Sequence, residues 1–201
     1  MTEHGYKVGY LLRSSITGFV AGTRVTEDEA PNFGALVKAP FGKKIWIYGL
    51  IYQMNVDDDG AVMQVATTDT IAEAIIADNR ENRTVPLEIS VLTIGHSRDG
   101  VVSHLLPPRA PLSLDLVWQC DQAELEAFTA AGSFGYLRHL LRDPQVPAVE
   151  LMAAHVQQAG SRRPEWRQQA ITEVISLLRD DYATLMQALG AFSDSTTESH
   201  I

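Results

Sequence analysis

Cysteine is almost absent from this chain: Cys120 is the single one among 201 residues, so no disulfide can form within it. That argues against a disulfide-stabilised secreted scaffold and favours a reducing compartment. Long apolar runs are also lacking, because the longest nearly uncharged stretch, around residues 89–94, is far too short to cross a bilayer. The first residues contain no apolar segment of signal-peptide length. We therefore expect a cytoplasmic protein without a membrane span.

Basic residues are scarce as well: the chain has 16 Lys and Arg against 25 Asp and Glu, for a formal net charge of −9. Proteins gain affinity for duplex DNA chiefly by neutralising its phosphates with Lys and Arg. The charge balance therefore disfavours a free-standing DNA-binding protein, although a local basic face remains open.

Recognisable catalytic and metal-binding motifs are missing too. The chain has no G-x-x-x-x-G-K-[ST] phosphate-binding loop, no Gly-x-Ser-x-Gly elbow, and no Cys-x2-Cys or His-x3-His pair. The acidic stretch 57–60 is better explained as a turn than as a calcium loop, since Thr68 stands where a bidentate Glu belongs. His96 and His104 are predicted to pair across a hairpin on a solvated face, and Cys120 is expected to be structural. We predict no catalytic residue, no metal and no cofactor.

What the sequence does contain is two segments of different texture. Residues 7–119 hold most of the glycines, prolines and β-branched runs, whereas residues 121–192 are rich in helix formers. About six or seven short strands separated by turns predict a sandwich or small barrel, and closure removes the exposed strand edges that favour aggregation. We predict an α+β protein with a β-barrel over residues 1–119, an α-helical region over 121–192 and a flexible tail over 193–201.

Within the first segment, residues 44–54 carry the strongest strand signal. Thr70 and Glu73 have the spacing of a capping box, which predicts a short helix over 68–79 inserted between strands.

Within the second segment, Asp121 and Glu124 form another capping box and predict a helix to Ala131. Helical segments are also expected over 136–142 and over 147–158. A single long helix is predicted over 165–192, because its apolar residues form one stripe.

Six stretches of the first segment combine strands, glycines and prolines in a recurrent order: 8–10, 19–25, 29–37, 47–51, 87–95 and 107–111. Together they resemble the HAS-barrel, the N-terminal barrel shared by HerA-type DNA translocases and rotary ATP synthase subunits. The resemblance covers roughly the first 120 residues and includes no catalytic signature.

HerA-type proteins place a phosphate-binding loop soon after this barrel, and this chain departs from them there. The nearest fragment, Gly42-Lys43-Lys44, lacks the upstream glycine and the following hydroxyl. The resemblance therefore implies a barrel architecture without the ATPase motor.

From that resemblance we expect a non-catalytic assembly or adaptor protein whose barrel associates with a HerA-like ring ATPase or a related barrel protein, in DNA end processing. Homo-oligomerisation remains open. The alternative is a module that binds single-stranded nucleic acid, and an enzyme with an unrecognised site is the least favoured.

Three aromatic residues, Trp46, Tyr48 and Tyr52, are candidates for partner contact or for base stacking. Isoleucines occupy the opposite face of the same strand, so both faces are expected to be covered. Packing of the aromatic side chains against the helical segment or another subunit is therefore favoured over a free stacking surface.

Three arginines, Arg162, Arg163 and Arg167, are candidates for binding an acidic partner or a phosphate. They stand at the start of the predicted long helix, where cations oppose the helix dipole. An ordinary solvated face is the simpler explanation.

Overall fold

The structure is a computed structural model and describes residues 5–25, 30–56 and 85–197. The predicted helix over 68–79 and the acidic turn at 57–60 lie outside the described residues. The strands are β1 (Tyr6–Ser14), β2 (Gly18–Val25), β3 (Leu36–Phe41), β4 (Ile45–Val56), β5 (Val85–Arg98), β6 (Val101–Ser103) and β7 (Leu116–Gln119).

Six of these strands close into an antiparallel barrel in the order β2–β1–β7–β3–β4–β5, with β5 pairing back onto β2. The closing pair is regular along its length, from Gly18 opposite Leu92 to Val25 opposite Val85. The short strand β6 pairs only with the end of β5, beyond the closed part. The predicted small β-barrel is confirmed.

Apolar side chains fill the barrel because inward and outward positions alternate along each strand. Leu11, Ala21, Ile47 and Ile89 are all fully buried in this interior cluster. Gly49 lies at a register shift between β4 and β5. A Cβ there would come within 2.4 Å of Val91 Cγ1 and 2.6 Å of the Leu92 carbonyl oxygen, so only glycine allows the two strands to approach.

The helices follow the barrel in the chain, as predicted for an α+β protein. They are α1 (Gln122–Ala130), α2 (Ala148–Gly160), α3 (Pro164–Leu177) and α4 (Tyr182–Thr197), with a 3-10 turn at Leu137–His139. The capping box of α1 is confirmed: the Glu124 N–H donates to Asp121 Oδ1 at 2.8 Å, and the Asp121 N–H donates to Glu124 Oε2 at 3.2 Å. Between α1 and α2, the helical turns expected over 136–142 shorten to the single 3-10 turn.

The prediction of one long helix over 165–192 is wrong, because the chain breaks between α3 and α4. Leu178 leaves helical geometry at φ −99° and ψ 6°. Asp181 then accepts hydrogen bonds from the N–H and hydroxyl of Thr184, at 3.1 and 2.6 Å, and so begins the next helix. An uninterrupted helix would extend about 42 Å, whereas the break allows both helices to pack on α2. The second of them continues past the predicted end at Phe192 to Thr197.

A second apolar cluster joins the helices to one side of the barrel. It contains outward side chains of β3, β4 and β5, including Leu36, Leu50 and Ile94, together with the buried face of α2. Among the described residues, no side chain of β1, β2 or β7 belongs to it. The helices therefore cover the β3–β5 side of the barrel and leave the β1–β2–β7 side without them. In the described part of the chain, no helix is both long and apolar enough to span a membrane.

Candidate functional site

The aromatic residues of β4 lie where the barrel meets the helices. Tyr48 is 8% exposed, and its ring centroid lies 4.8 Å from that of Phe128 on α1. Trp46 and Tyr52 are half-buried and pack against the same cluster. The expected packing of this strand against the helical region is confirmed, and burial raises the pKa of Tyr48. Tyr48 therefore offers little surface to a partner, whereas Trp46 and Tyr52 keep part of theirs.

Lys38, which the sequence did not single out, completes this junction. Its side chain is 3% exposed, its ammonium group is ion-paired with Glu124, and its Nζ lies 4.8 Å from the centre of the Trp46 ring. The Glu124 carboxylate and the Trp46 ring replace the interactions with water that the Lys38 ammonium group loses on burial. Lys38 alternates with inward-facing Val37 and Ala39, which places it on the outer side of β3. Helix α1 covers this outer side, and no pattern in the neighbouring sequence predicts that it does.

A groove of about 320 Å³ opens beside these residues, with Trp46 and Tyr48 in its wall and Lys43 and Lys44 among its lining residues. Lys44 is ion-paired with Asp99 at 3.2 Å, and both side chains are exposed. Glu124 also lines the groove, so its wall combines an aromatic surface with charges of both signs.

The three candidate arginines do not form one free basic face. Arg163 donates from Nε and Nη2 to the Ala159 carbonyl at 3.0 and 2.8 Å, and from Nη2 to Thr129 Oγ1 at 2.9 Å. Arg167 Nη2 donates to the Phe192 carbonyl at 3.2 Å. Arg162 is the exposed member of the set.

Arg163 directly precedes α3, but its side chain donates hydrogen bonds to the C-terminal end of α2. Ala159 belongs to the last turn of α2, where free carbonyls and the helix dipole favour a cation. The guanidinium also lies 4.7 Å from the centre of the Trp166 ring. The unfavourable position noted in the sequence is thus explained by the preceding helix.

Helix α1 separates the aromatic and arginine sets. Phe128 contacts Tyr48, and the adjacent Thr129 accepts the hydrogen bond from Arg163. The two sets therefore contact different, neighbouring positions of one helix and do not share a contact there.

A buried polar connection between the barrel and α2 was not predicted from the sequence. Tyr136 Oη and His155 Nε2 are 3.1 Å apart, and His155 Nδ1 is 3.3 Å from the Gly34 carbonyl oxygen. Because a carbonyl only accepts, Nδ1–H donates to Gly34 and Nε2 accepts from the Tyr136 hydroxyl. Burial lowers the pKa of His155 to about 4 and raises the pKa of Tyr136. Both groups are therefore neutral at pH 7.

The predicted solvated pair of His96 and His104 is wrong. His96 lies opposite Ser103, where β6 ends, and His104 turns toward the helical region instead. The His104 ring centroid is 4.9 Å from that of Phe128 and 5.0 Å from that of Tyr136, and its Nε2 donates to the Phe128 carbonyl at 3.0 Å. Burial lowers its pKa. Aromatic packing, which one sequence does not reveal, decides its position.

Cys120 lies just before the Asp121 cap of α1. Burial, followed by the nearby Glu124 carboxylate, raises the pKa of its thiol well above the usual range. The thiol is therefore protonated at neutral pH, as suits a structural cysteine.

The β1–β2–β7 side of the barrel exposes large apolar side chains that sequence analysis also missed. We call them the open wall: Tyr6, Tyr10, Leu12, Leu112 and Leu114, which are 47%, 46%, 49%, 65% and 77% exposed. The segment before β7 is held against β1, since the Leu114 N–H donates to the Leu11 carbonyl at 2.8 Å. Register shifts within β1 break the simple alternation from which this surface would otherwise be predicted.

No protein-family model and no curated protein matches this chain. No group of three or more His, Cys, Asp or Glu side chains in the described ranges could hold a metal ion. The described strands and helices form a small closed barrel with the helices on one side.

Proposed function

We propose that this protein is a non-catalytic assembly or adaptor protein of HAS-barrel type. Its barrel associates with another barrel, either of a related protein or of a HerA-like ring ATPase, and DNA end processing is the process that the resemblance implies. The observation that carries the proposal is the open wall, since several large apolar side chains exposed on one side of a domain are typical of interaction sites.

The placement of the helices supports this surface over the aromatic strand β4 as the main contact. Tyr48 is buried by α1, so the β4 side of the barrel already has a partner within the chain. The open wall has Tyr10 and Leu114 exposed to 46% and 77%. A second barrel would bury these side chains as α1 buries Tyr48.

The rim of the open wall indicates the character of the partner. Lys7 Nζ lies 4.3 Å from the centre of the Tyr10 ring, and Arg13 is ion-paired with Glu88 at 2.7 Å. An apolar centre with a cationic residue at its edge fits a partner surface with an apolar patch and an acidic margin.

The test is affinity purification of the tagged protein from its native cell extract, with and without nuclease, followed by mass spectrometry. We expect a barrel protein or ring ATPase that survives nuclease treatment. The Tyr10→Ser, Leu114→Ser double variant should lose it.

A matched control is the Val101→Ser, Leu105→Ser double variant, which changes side chains 73% and 64% exposed on and beside β6. It should retain the partner. Equal recovery with both double variants, or no barrel partner with the unchanged protein, contradicts the proposal.

A module that binds single-stranded nucleic acid is the second candidate. The half-buried Trp46 beside Lys43 and Lys44 supports it, because stacking aromatics and cations are the usual elements of such sites. Binding of a fluorescent oligothymidine should then fall steeply with salt and weaken in Trp46→Ala and Lys43→Ala. Arg162→Ala tests the arginine set without breaking the hydrogen bonds of Arg163.

A further inference from the structure

A cleft follows the junction between the barrel and the segment that leads into α2. One cavity of about 190 Å³ is lined in part by Leu92, Leu106 and Arg142. A second of about 290 Å³ lies toward the β1–β2 turn, and the two share Thr17, Leu92 and Asp143 as walls. The two cavities therefore adjoin, and we call them together the seam cleft.

Thr93 lines the smaller cavity and is 1% exposed. Its backbone N–H donates to the Thr17 carbonyl at 2.9 Å, which fixes the residue in place. Its hydroxyl is buried, and no hydrogen-bond partner for it is found in the described part of the chain. The oxygen itself has almost no exposed surface, so Thr93 contributes to the wall of the cavity and presents no polar group to a ligand.

Arg142 supplies a cation at the same cavity. Its backbone N–H donates to the His139 carbonyl at 3.3 Å, and within the described ranges its guanidinium has no ion-pair partner. The neighbouring Arg138, by contrast, is used within the fold, because its Nη2 donates to the His104 carbonyl at 2.8 Å. Arg142 is therefore the arginine available to a ligand here.

His139 adds a fixed neutral group to the lining. Its Nε2–H donates to the His104 carbonyl at 2.8 Å, which leaves Nδ1 as an acceptor. The remaining walls are largely apolar, with Leu92, Leu106 and Pro144. A few polar groups among apolar walls are typical of small-molecule sites.

We propose that the seam cleft binds a small organic carboxylate, with the carboxylate on the Arg142 guanidinium and a short apolar chain between Leu92 and Leu106. The smaller cavity, of about 190 Å³, restricts the ligand to a small molecule. Asp143, which lines both cavities, distinguishes two classes of carboxylate ligand. An amino acid could place its ammonium group there, whereas a simple carboxylic acid could not. The proposal does not depend on the adaptor function.

The experiment is ligand-observed NMR and thermal unfolding of the full chain with three probes: isovalerate, its neutral amide isovaleramide, and L-leucine. Isovalerate is expected to bind with a dissociation constant in the millimolar range and to raise the melting temperature. Isovaleramide should bind at least tenfold more weakly. If L-leucine binds more tightly than isovalerate, the ligand class is amino acids. If it binds more weakly, the ligand class is simple carboxylic acids.

Two variants assign binding to the seam cleft. Arg142→Gln should weaken isovalerate at least tenfold, whereas Arg109→Gln, an exposed arginine that does not line the cleft, should leave it unchanged. Equal binding of acid and amide, no binding of either acid, or binding unaffected by Arg142→Gln overturns the proposal.

Discussion

Lys38 on β3 and Glu124 on α1 form an ion pair across the junction between the barrel and the helices, and only 3% of the Lys38 side chain is exposed. The same Glu124 accepts the Asp121 N–H in the capping box. One carboxylate thus starts a helix and fixes it to the barrel.

Breaking that pair on one side should be costly, because a buried ammonium group is left without its counter-charge. Glu124→Gln keeps the capping acceptor and is expected to lower the free energy of unfolding by about 2 kcal/mol. The double variant Lys38→Met, Glu124→Gln should recover a large part of the loss. Urea unfolding of the unchanged protein and the two variants gives the comparison, and a double variant less stable than Glu124→Gln contradicts the prediction.

Protonation of His155 should destabilise the fold. Its folded pKa of about 4 lies below the ordinary value of 6.5, so the unfolded chain binds the proton more readily. The resulting stability is complete above pH 6.5 and is lost as the pH falls toward 4, with about 2 kcal/mol gone between pH 7.5 and 5. Lowered pKa values at His104 and His139 act in the same direction.

Urea unfolding at these two pH values tests the effect of His155. The loss should shrink in His155→Gln and persist in His96→Gln, a half-buried histidine near the surface hairpin. The same loss in both variants assigns the pH dependence to other groups.

Arg163 should contribute to stability while its neighbour Arg162 does not. Arg163→Met removes the hydrogen bonds to Ala159 and Thr129 and should lower the free energy of unfolding by about 1–2 kcal/mol. Arg162 is exposed, so Arg162→Met should change it by less than about 0.5 kcal/mol. Thermal and urea unfolding of the two variants measure the difference, and equal effects show that the Arg163 contacts are not stabilising.

Two glycines should respond to alanine in opposite directions. At Gly49 a Cβ would lie 2.4 Å from Val91 Cγ1, so Gly49→Ala should cost about 3 kcal/mol or prevent folding. At Gly190 on α4 a Cβ would meet nothing within 4 Å, so Gly190→Ala should stabilise by about 0.5–1 kcal/mol. Melting temperatures of both variants decide, and a stabilising Gly49→Ala refutes the close approach of the two strands.

Local chemistry in the sequence determined much of this fold. Alternating β-branched and aromatic residues specified β4, and the Asp121 and Glu124 pair specified the start of α1. Each of these features depends on residues close in the chain, so the spacing of apolar residues and the capping pattern are sufficient to predict it. The same reasoning failed at residues 178–181, because the apolar stripe continues through the break and the local cap formed by Asp181 and Thr184 was overlooked.

What the tertiary structure alone decided is which side of each strand is covered. Sequence periodicity places Lys38 and Tyr48 on the outer side of the barrel, but only the docking of α1 makes that side a core and leaves Tyr10 and Leu114 exposed on the other. Arg163 donates hydrogen bonds to the last turn of the helix that precedes it. Thr93 and Arg142 are distant in the chain but line the same cavity. Alternation and capping act over a few residues, whereas burial, pKa and the seam cleft depend on contacts between segments that the chain brings together only on folding.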